Sequence, residues 1–134
     1  MKLALRFVAA VLLLAAVGCG PKKVPMNPAP NVPAAAGHAE IGTDRNGNTT
    51  IDLKVKHLAK PENLTPPATA YVVWIQPSGQ APQNVGQLQV NSDLEGEFKG
   101  TTPFKAFDIF VTAENNPQAT TPTGQEIMRQ HVSR

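Results

Sequence analysis

Cysteine is almost missing from this chain: Cys19 is the only one in 134 residues. A single thiol excludes an internal disulfide framework and a Cys-rich zinc site. Aromatics are scarce too, at 5%, with one Trp and one Tyr. Charge is low at 16%, and the formal net charge of +2 comes from Lys2 and Arg6 near the start; the rest of the chain carries ten bases and ten acids. No basic stripe with interleaved aromatics remains, so no nucleic-acid partner is expected. There is no G-x-S-x-G elbow, no H-E-x-x-H and no phosphate loop, so neither a catalytic residue nor a cofactor is expected. What the chain has in quantity is thirteen Pro and ten Gly. That composition points to strands, turns and loops, not to a helix bundle.

Residues 1–18 are built like a secretory leader. Lys2 and Arg6 give a positive start, and residues 7–17 are an unbroken apolar run. Eleven residues at ~1.5 Å of helical rise span about 16 Å, roughly half of a ~30 Å hydrocarbon core. This is the length of a signal-peptide apolar region and not of a comfortable transmembrane span. The run ends at Ala16-Val17-Gly18-Cys19, which resembles the bacterial lipoprotein signal. The resemblance implies a diacylglyceryl thioether on Cys19, cleavage before it and further acylation. Two or three acyl chains hold durably where one holds weakly. Gly20 stands where the family's inner-membrane retention signal typically has Asp. The expected location is therefore extracytoplasmic, on the periplasmic face of the outer membrane where two membranes exist.

Residues 20–36 read GPKKVPMNPAPNVPAAA. Five prolines in seventeen positions predict an extended tether, which at ~3.1 Å per residue would reach about 50 Å from the lipid. The domain is expected from residue 37 to 134. Residues 39–44 and 49–57 flank Arg45-Asn46-Gly47-Asn48, a hairpin turn signal. Ile51, Leu53 and Val55 alternate with Asp52, Lys54 and Lys56, the period of a half-buried strand. Residues 71–75 are apolar on both faces, as in a central strand. Further strands are expected at 85–90, 94–99, 107–113 and 126–132, with a short helix as the alternative for the last. Seven strands with turn signals between them predict an all-β fold, a single antiparallel immunoglobulin-like sandwich.

Tyr71-Val72-Val73-Trp74-Ile75-Gln76-Pro77, then Val85-Gly86-Gln87-Leu88, Phe110-Val111-Thr112-Ala113-Glu114 and Thr121-Pro122-Thr123-Gly124 resemble the C-terminal extracytoplasmic domain of anti-sigma-K factors. The match covers roughly residues 68–132. It implies the β fold and an extracytoplasmic place. It does not extend to sigma-factor binding, because the family's helical cytoplasmic domain and full transmembrane helix have no counterpart here.

Constellations that could carry chemistry are thin. Asp44-Arg45-Asn46-Gly47-Asn48 has oxygen side chains two apart, but Gly47 and Val55 occupy the wrong positions for an EF-hand. His38, His57 and His131 have no ligand spacing. Glu95 and Glu97 fall on one strand face, close enough for acid–base work, yet with Lys99 beside them a solvated face is the simpler reading. The expectation is therefore no metal and no enzyme, but a non-catalytic binding or structural module, an anti-sigma-like sensor domain without the sigma-binding part being one form of it. An envelope enzyme or ligand carrier is the alternative, and a deep polar cleft holding Glu95, Glu97 or a His would favour it. Trp74 and Phe110 point away from their strands' other large apolar residues; cover by Pro-rich loops is favoured over an exposed binding patch. The polar, uncharged loop 115–124 follows the strongest strand, and loops on rigid strands commonly carry recognition. Asn115, Asn116, Thr120 and Thr121, with Trp74, are the candidate binding residues. Their partner would be an envelope protein or a glycan, besides the membrane reached through Cys19.

Overall fold

The computed structural model describes residues 20–134. Cys19 and the leader lie outside the described residues. Eight strands form among the described residues: β1 Lys22–Pro28, β2 Ala36–Thr43, β3 Thr49–Lys56, β4 Ala70–Pro77, β5 Gln83–Val90, β6 Gly96–Thr102, β7 Ala106–Glu114 and β8 Gln125–Ser133. They close into one antiparallel barrel in the order β1-β2-β3-β6-β5-β4-β7-β8. The all-β, antiparallel expectation holds. The seven-stranded immunoglobulin-like sandwich does not: there is one more strand, and the sheet closes.

The extra strand lies in the segment expected to be a tether. Lys22 to Met26 of β1 pair with β2, and Asn27 and Pro28 then pair with Arg129 and Met128 of β8. Proline is confined to strand edges because it lacks a donor. Pro25 is tolerated here because β1 is paired on one side only over residues 22–26. Met26 is buried in the core, so this strand is packed and not merely laid alongside.

Closure is made by strands that change neighbours. β5 pairs with β4 through Leu88, and then with β6 at Gln89 and Val90. The β4–β5 ladder slips between Val73 and Trp74. Opposite that slip sits Gly86 at φ +141, where a Cβ would also press on the Phe98 ring at 3.0 Å. Bulges and glycines of this kind turn a sheet around a corner.

Alternation decides which side chains enter. Ile51, Leu53 and Val55 point inward, as do Tyr71, Val73, Ile75, Phe107, Ile109 and Val111. Eight strands enclose a space that side chains can fill, and these residues fill it. The Tyr71 hydroxyl donates to the Ala59 carbonyl at 2.6 Å. Burial, with the charge of Glu62, pushes its pKa up to about 12. The outward positions of β3 and β6 include Asp52, Lys54, Glu97 and Lys99. This polarity, apolar inside and charged outside, is the reverse of a transmembrane barrel.

Candidate functional site

The outer face of β4, β7 and β8 departs from that rule. Register places Trp74 beside Phe110 and Phe110 beside Arg129. The two rings stack with centroids 6.3 Å apart and planes 16° from parallel, and the Arg129 guanidinium lies 4.1 Å over the Phe110 ring. Both aromatics are buried, although they lie outside the barrel. With Val72 they form a second apolar cluster, against which Ala119 packs.

Ala119 belongs to the loop 115–124, so this loop is the cover. Two anchors hold it. Asn84 on β5 donates from Nδ2 to the carbonyls of Pro117 (3.0 Å) and Ala119 (2.9 Å), while its Oδ1 accepts from Gly86 N. The second anchor is Glu114, the last residue of β7 and a buried carboxylate. It accepts from the Thr112 hydroxyl at 2.6 Å, from the Thr123 hydroxyl at 2.6 Å, and from the amides of Thr123 and Gly124 at 3.0 and 3.1 Å. Thr112 Oγ1 in turn accepts from Trp74 Nε1 at 2.8 Å. The indole, the threonine, the glutamate and the loop's end are thus one hydrogen-bonded chain. Burial pushes the Glu114 pKa up, but these donors outweigh it and hold the carboxyl below its ordinary value. Gly124 is required at the second anchor, since a Cβ there would overlap the Ala113 carbonyl oxygen.

Charge closes the lower edge of the patch. Arg129 pairs with Glu126 (2.6 Å) and Asp108 (3.0 Å), and His131 Nδ1 meets Asp108 at 2.8 Å. The hydrogen bond from His131, followed by Arg129, keeps the Asp108 carboxyl below its usual range despite some burial.

The candidate residues therefore separate into two roles. Trp74 is wholly buried and serves as the floor on which the loop rests. Asn115, Asn116, Thr120 and Thr121 are exposed on the loop's upper surface. The loop has internal order: Asn116 accepts the Gln118 amide on its side chain and the Ala119 amide on its carbonyl. No motif marks Asn84 or Arg129, and Glu114 and Gly124 stand in the resemblance and at the loop's end without an anchoring role. One signal was available, because Glu114 shares outward parity with Phe110 and Thr112 in an otherwise apolar strand.

The remaining candidates stay apart. Asp44 accepts from Asn46 N, Asn48 N and Asn48 Nδ2, closing the expected hairpin turn. Glu95 lies in the turn before β6 and Glu97 on the strand. Both are exposed beside an open groove shared with Lys54 and Lys56, and Glu97 pairs with Lys99 at 3.3 Å. Among the described residues no three His, Cys, Asp or Glu gather as a metal-binding group. Comparisons of the chain with family models, with curated proteins and with solved structures give no match.

Proposed function

We propose that this chain is an extracytoplasmic lipoprotein, held to a membrane through lipid on Cys19, whose barrel is a non-catalytic binding or structural module. The observation that carries the proposal is the junction itself: an eleven-residue apolar run after Lys2 and Arg6, ending at Gly18-Cys19. The likeness of residues 68–132 to anti-sigma-K extracytoplasmic domains supports the same side of the membrane, without the sigma-binding part. The loop 115–124 supports the binding role. Its exposed Asn115, Asn116, Thr120 and Thr121 are neutral donors and acceptors on a fixed backbone, chemistry suited to a glycan or a peptide backbone.

Cys19→Ser is expected to leave the precursor unprocessed or to release the protein into the soluble fraction. Intact-mass analysis of wild type showing an unmodified Cys19 would refute the anchor. For the loop, Asn115, Asn116, Thr120 and Thr121 can all become Ala while Ala119, Thr123 and Gly124 are kept. A folded variant with an unchanged set of crosslinked envelope partners would remove the loop from consideration.

A further inference from the structure

The two ends of the barrel carry unlike charge. One end is formed by the start of β1, the 44–48 and 78–82 turns, the 103–105 turn and the end of β8. It bears Lys22, Arg45, Lys105 and Arg134, all exposed, and a single acid, Asp44. Residues 20–134 contain ten bases and ten acids in all, so the rest of the barrel has an excess of acid. The opposite end carries Glu62, Asp93, Glu95 and Glu126 on its loops and strand start, against the bases Lys56 and Lys60, so it is net acidic.

Two further features set the basic end apart. Asp44 is engaged by the amides of its own turn. Arg134 spends its guanidinium donors on neutral acceptors, the hydroxyls of Thr43 and Thr49 and the Gly47 carbonyl, which fixes the group; its charge reaches Asp44 through space, without a direct ion pair among the described residues. Lys22 and Arg134, with Asp44 as the one acid, also line the same groove of about 570 Å³, which opens where β1 and β8 part beyond Asn27. Val24, Ile41 and Val132 form its apolar wall. Two bases over an apolar wall match a phospholipid headgroup and the start of its glycerol.

The chain also arrives at this end. Only Gly20 and Pro21 separate Cys19 from β1, so even fully extended the first strand begins within about 11 Å of Cys19. That is close to the ~8 Å Debye length at physiological salt. We infer that the basic end of the barrel docks flat on anionic phospholipid headgroups, with Lys22, Arg45, Lys105 and Arg134 as the contact and the 115–124 loop on the side of the barrel reaching toward the far end. This rests on the lipid anchor at Cys19 proposed above. It replaces a distant tether with a seated, oriented domain. Each base near an anionic surface is worth roughly a fivefold change in the seated population.

The test uses the processed, membrane-extracted protein reconstituted into vesicles of phosphatidylcholine alone or of equal parts phosphatidylcholine and phosphatidylglycerol. A fluorophore is placed at Ser78→Cys in the basic end or at Asp93→Cys in the opposite end, and quenching by headgroup-labelled lipid is compared. On phosphatidylglycerol vesicles the Ser78 probe should be quenched several-fold more than the Asp93 probe. The difference should shrink in high salt, on neutral vesicles, and in Lys22→Glu/Arg45→Glu/Lys105→Glu. The salt and lipid arms need no charge variant, so misfolding of the triple variant would leave the result intact. Intact mass is read on the same samples. A lipidated Cys19 with equal quenching at both probes, or quenching indifferent to salt and phosphatidylglycerol, would overturn the docking and leave the anchor standing. An unmodified Cys19 would overturn both.

Discussion

The two outer faces of this barrel show two ways of finishing a sheet. On β3 and β6, Asp52, Lys54, Glu97 and Lys99 form loose ion pairs at 3.3 to 4.0 Å, with both lysines and Glu97 exposed. On β4, β7 and β8, Trp74 is 0% and Phe110 3% exposed, under a loop that two buried or half-buried polar groups tie down. The first face is stabilised by the interior alone. The second adds an apolar layer outside the barrel, and that layer exists only while the loop stays in place. Loop order and outer-face packing are therefore one property, and a change in either should be felt by the other.

Removing the floor should have the largest effect. Trp74→Ala deletes a fully buried indole and the donor to Thr112, and is expected to cost about 3–5 kcal/mol, much of the ~5–15 kcal/mol available to a domain. Urea unfolding measures it; a loss below about 1 kcal/mol would mean that the loop refills the space. Next is Glu114→Ala, which leaves the Thr123 and Gly124 donors without their acceptor. A loss of about 2–3 kcal/mol is expected, with new proteolytic cleavage in 115–124. Glu114→Gln should in addition change the pH dependence. Because folding depresses this carboxyl below its ordinary 4.5, its stabilisation is present above that pH and fades as pH falls through the folded pKa. The glutamine variant should lose part of the acid-side slope.

Arg129→Ala comes third. It removes the cation over Phe110 and two half-exposed ion pairs, together about 1–2 kcal/mol, and frees Asp108 to titrate nearer its ordinary value. The charged face should be nearly indifferent. Lys99→Ala is expected to change stability by less than about 0.5 kcal/mol. Asp52→Thr should be neutral or slightly stabilising, since Asp52 Oδ1 is buried without a hydrogen-bond partner and Thr suits a strand. Equal sensitivity of the two faces, seen across these five positions by the same denaturation assay, would dissolve the contrast.

Local pattern made seven of the eight strands legible. Alternation at Ile51, Leu53 and Val55, and the apolar run at 71–75, place β3 and β4 correctly, and 126–132 is a strand and not a helix. β1 was hidden because Pro25 and Pro28 read as tether; nothing local says that one free edge excuses them. Closure was hidden for a related reason. Whether two sheets remain apart or join depends on β1 and β5 exchanging partners at Asn27 and Gln89, contacts between residues distant in sequence. Of the site, the outward aromatics and the loop were visible separately. Their union was not, since it runs through Asn84 and Glu114, single polar residues whose partners lie 9 to 35 positions away.

The meeting of β1 with β8 also sets the timing of assembly. Asn27 faces Arg129, so a chain threaded N-terminus first, through a ribosome or a membrane pore, presents its opening strand long before the strand that seals it. β1 can pair with β2 early, while its other edge stays unmatched until residues 128 and 129 emerge. Long-range closure of this kind slows folding relative to local pairing. A short strand carrying two prolines and two lysines is a poor template for a stranger in that interval, so the composition that disguises β1 as a tether also guards the open seam until the barrel is whole.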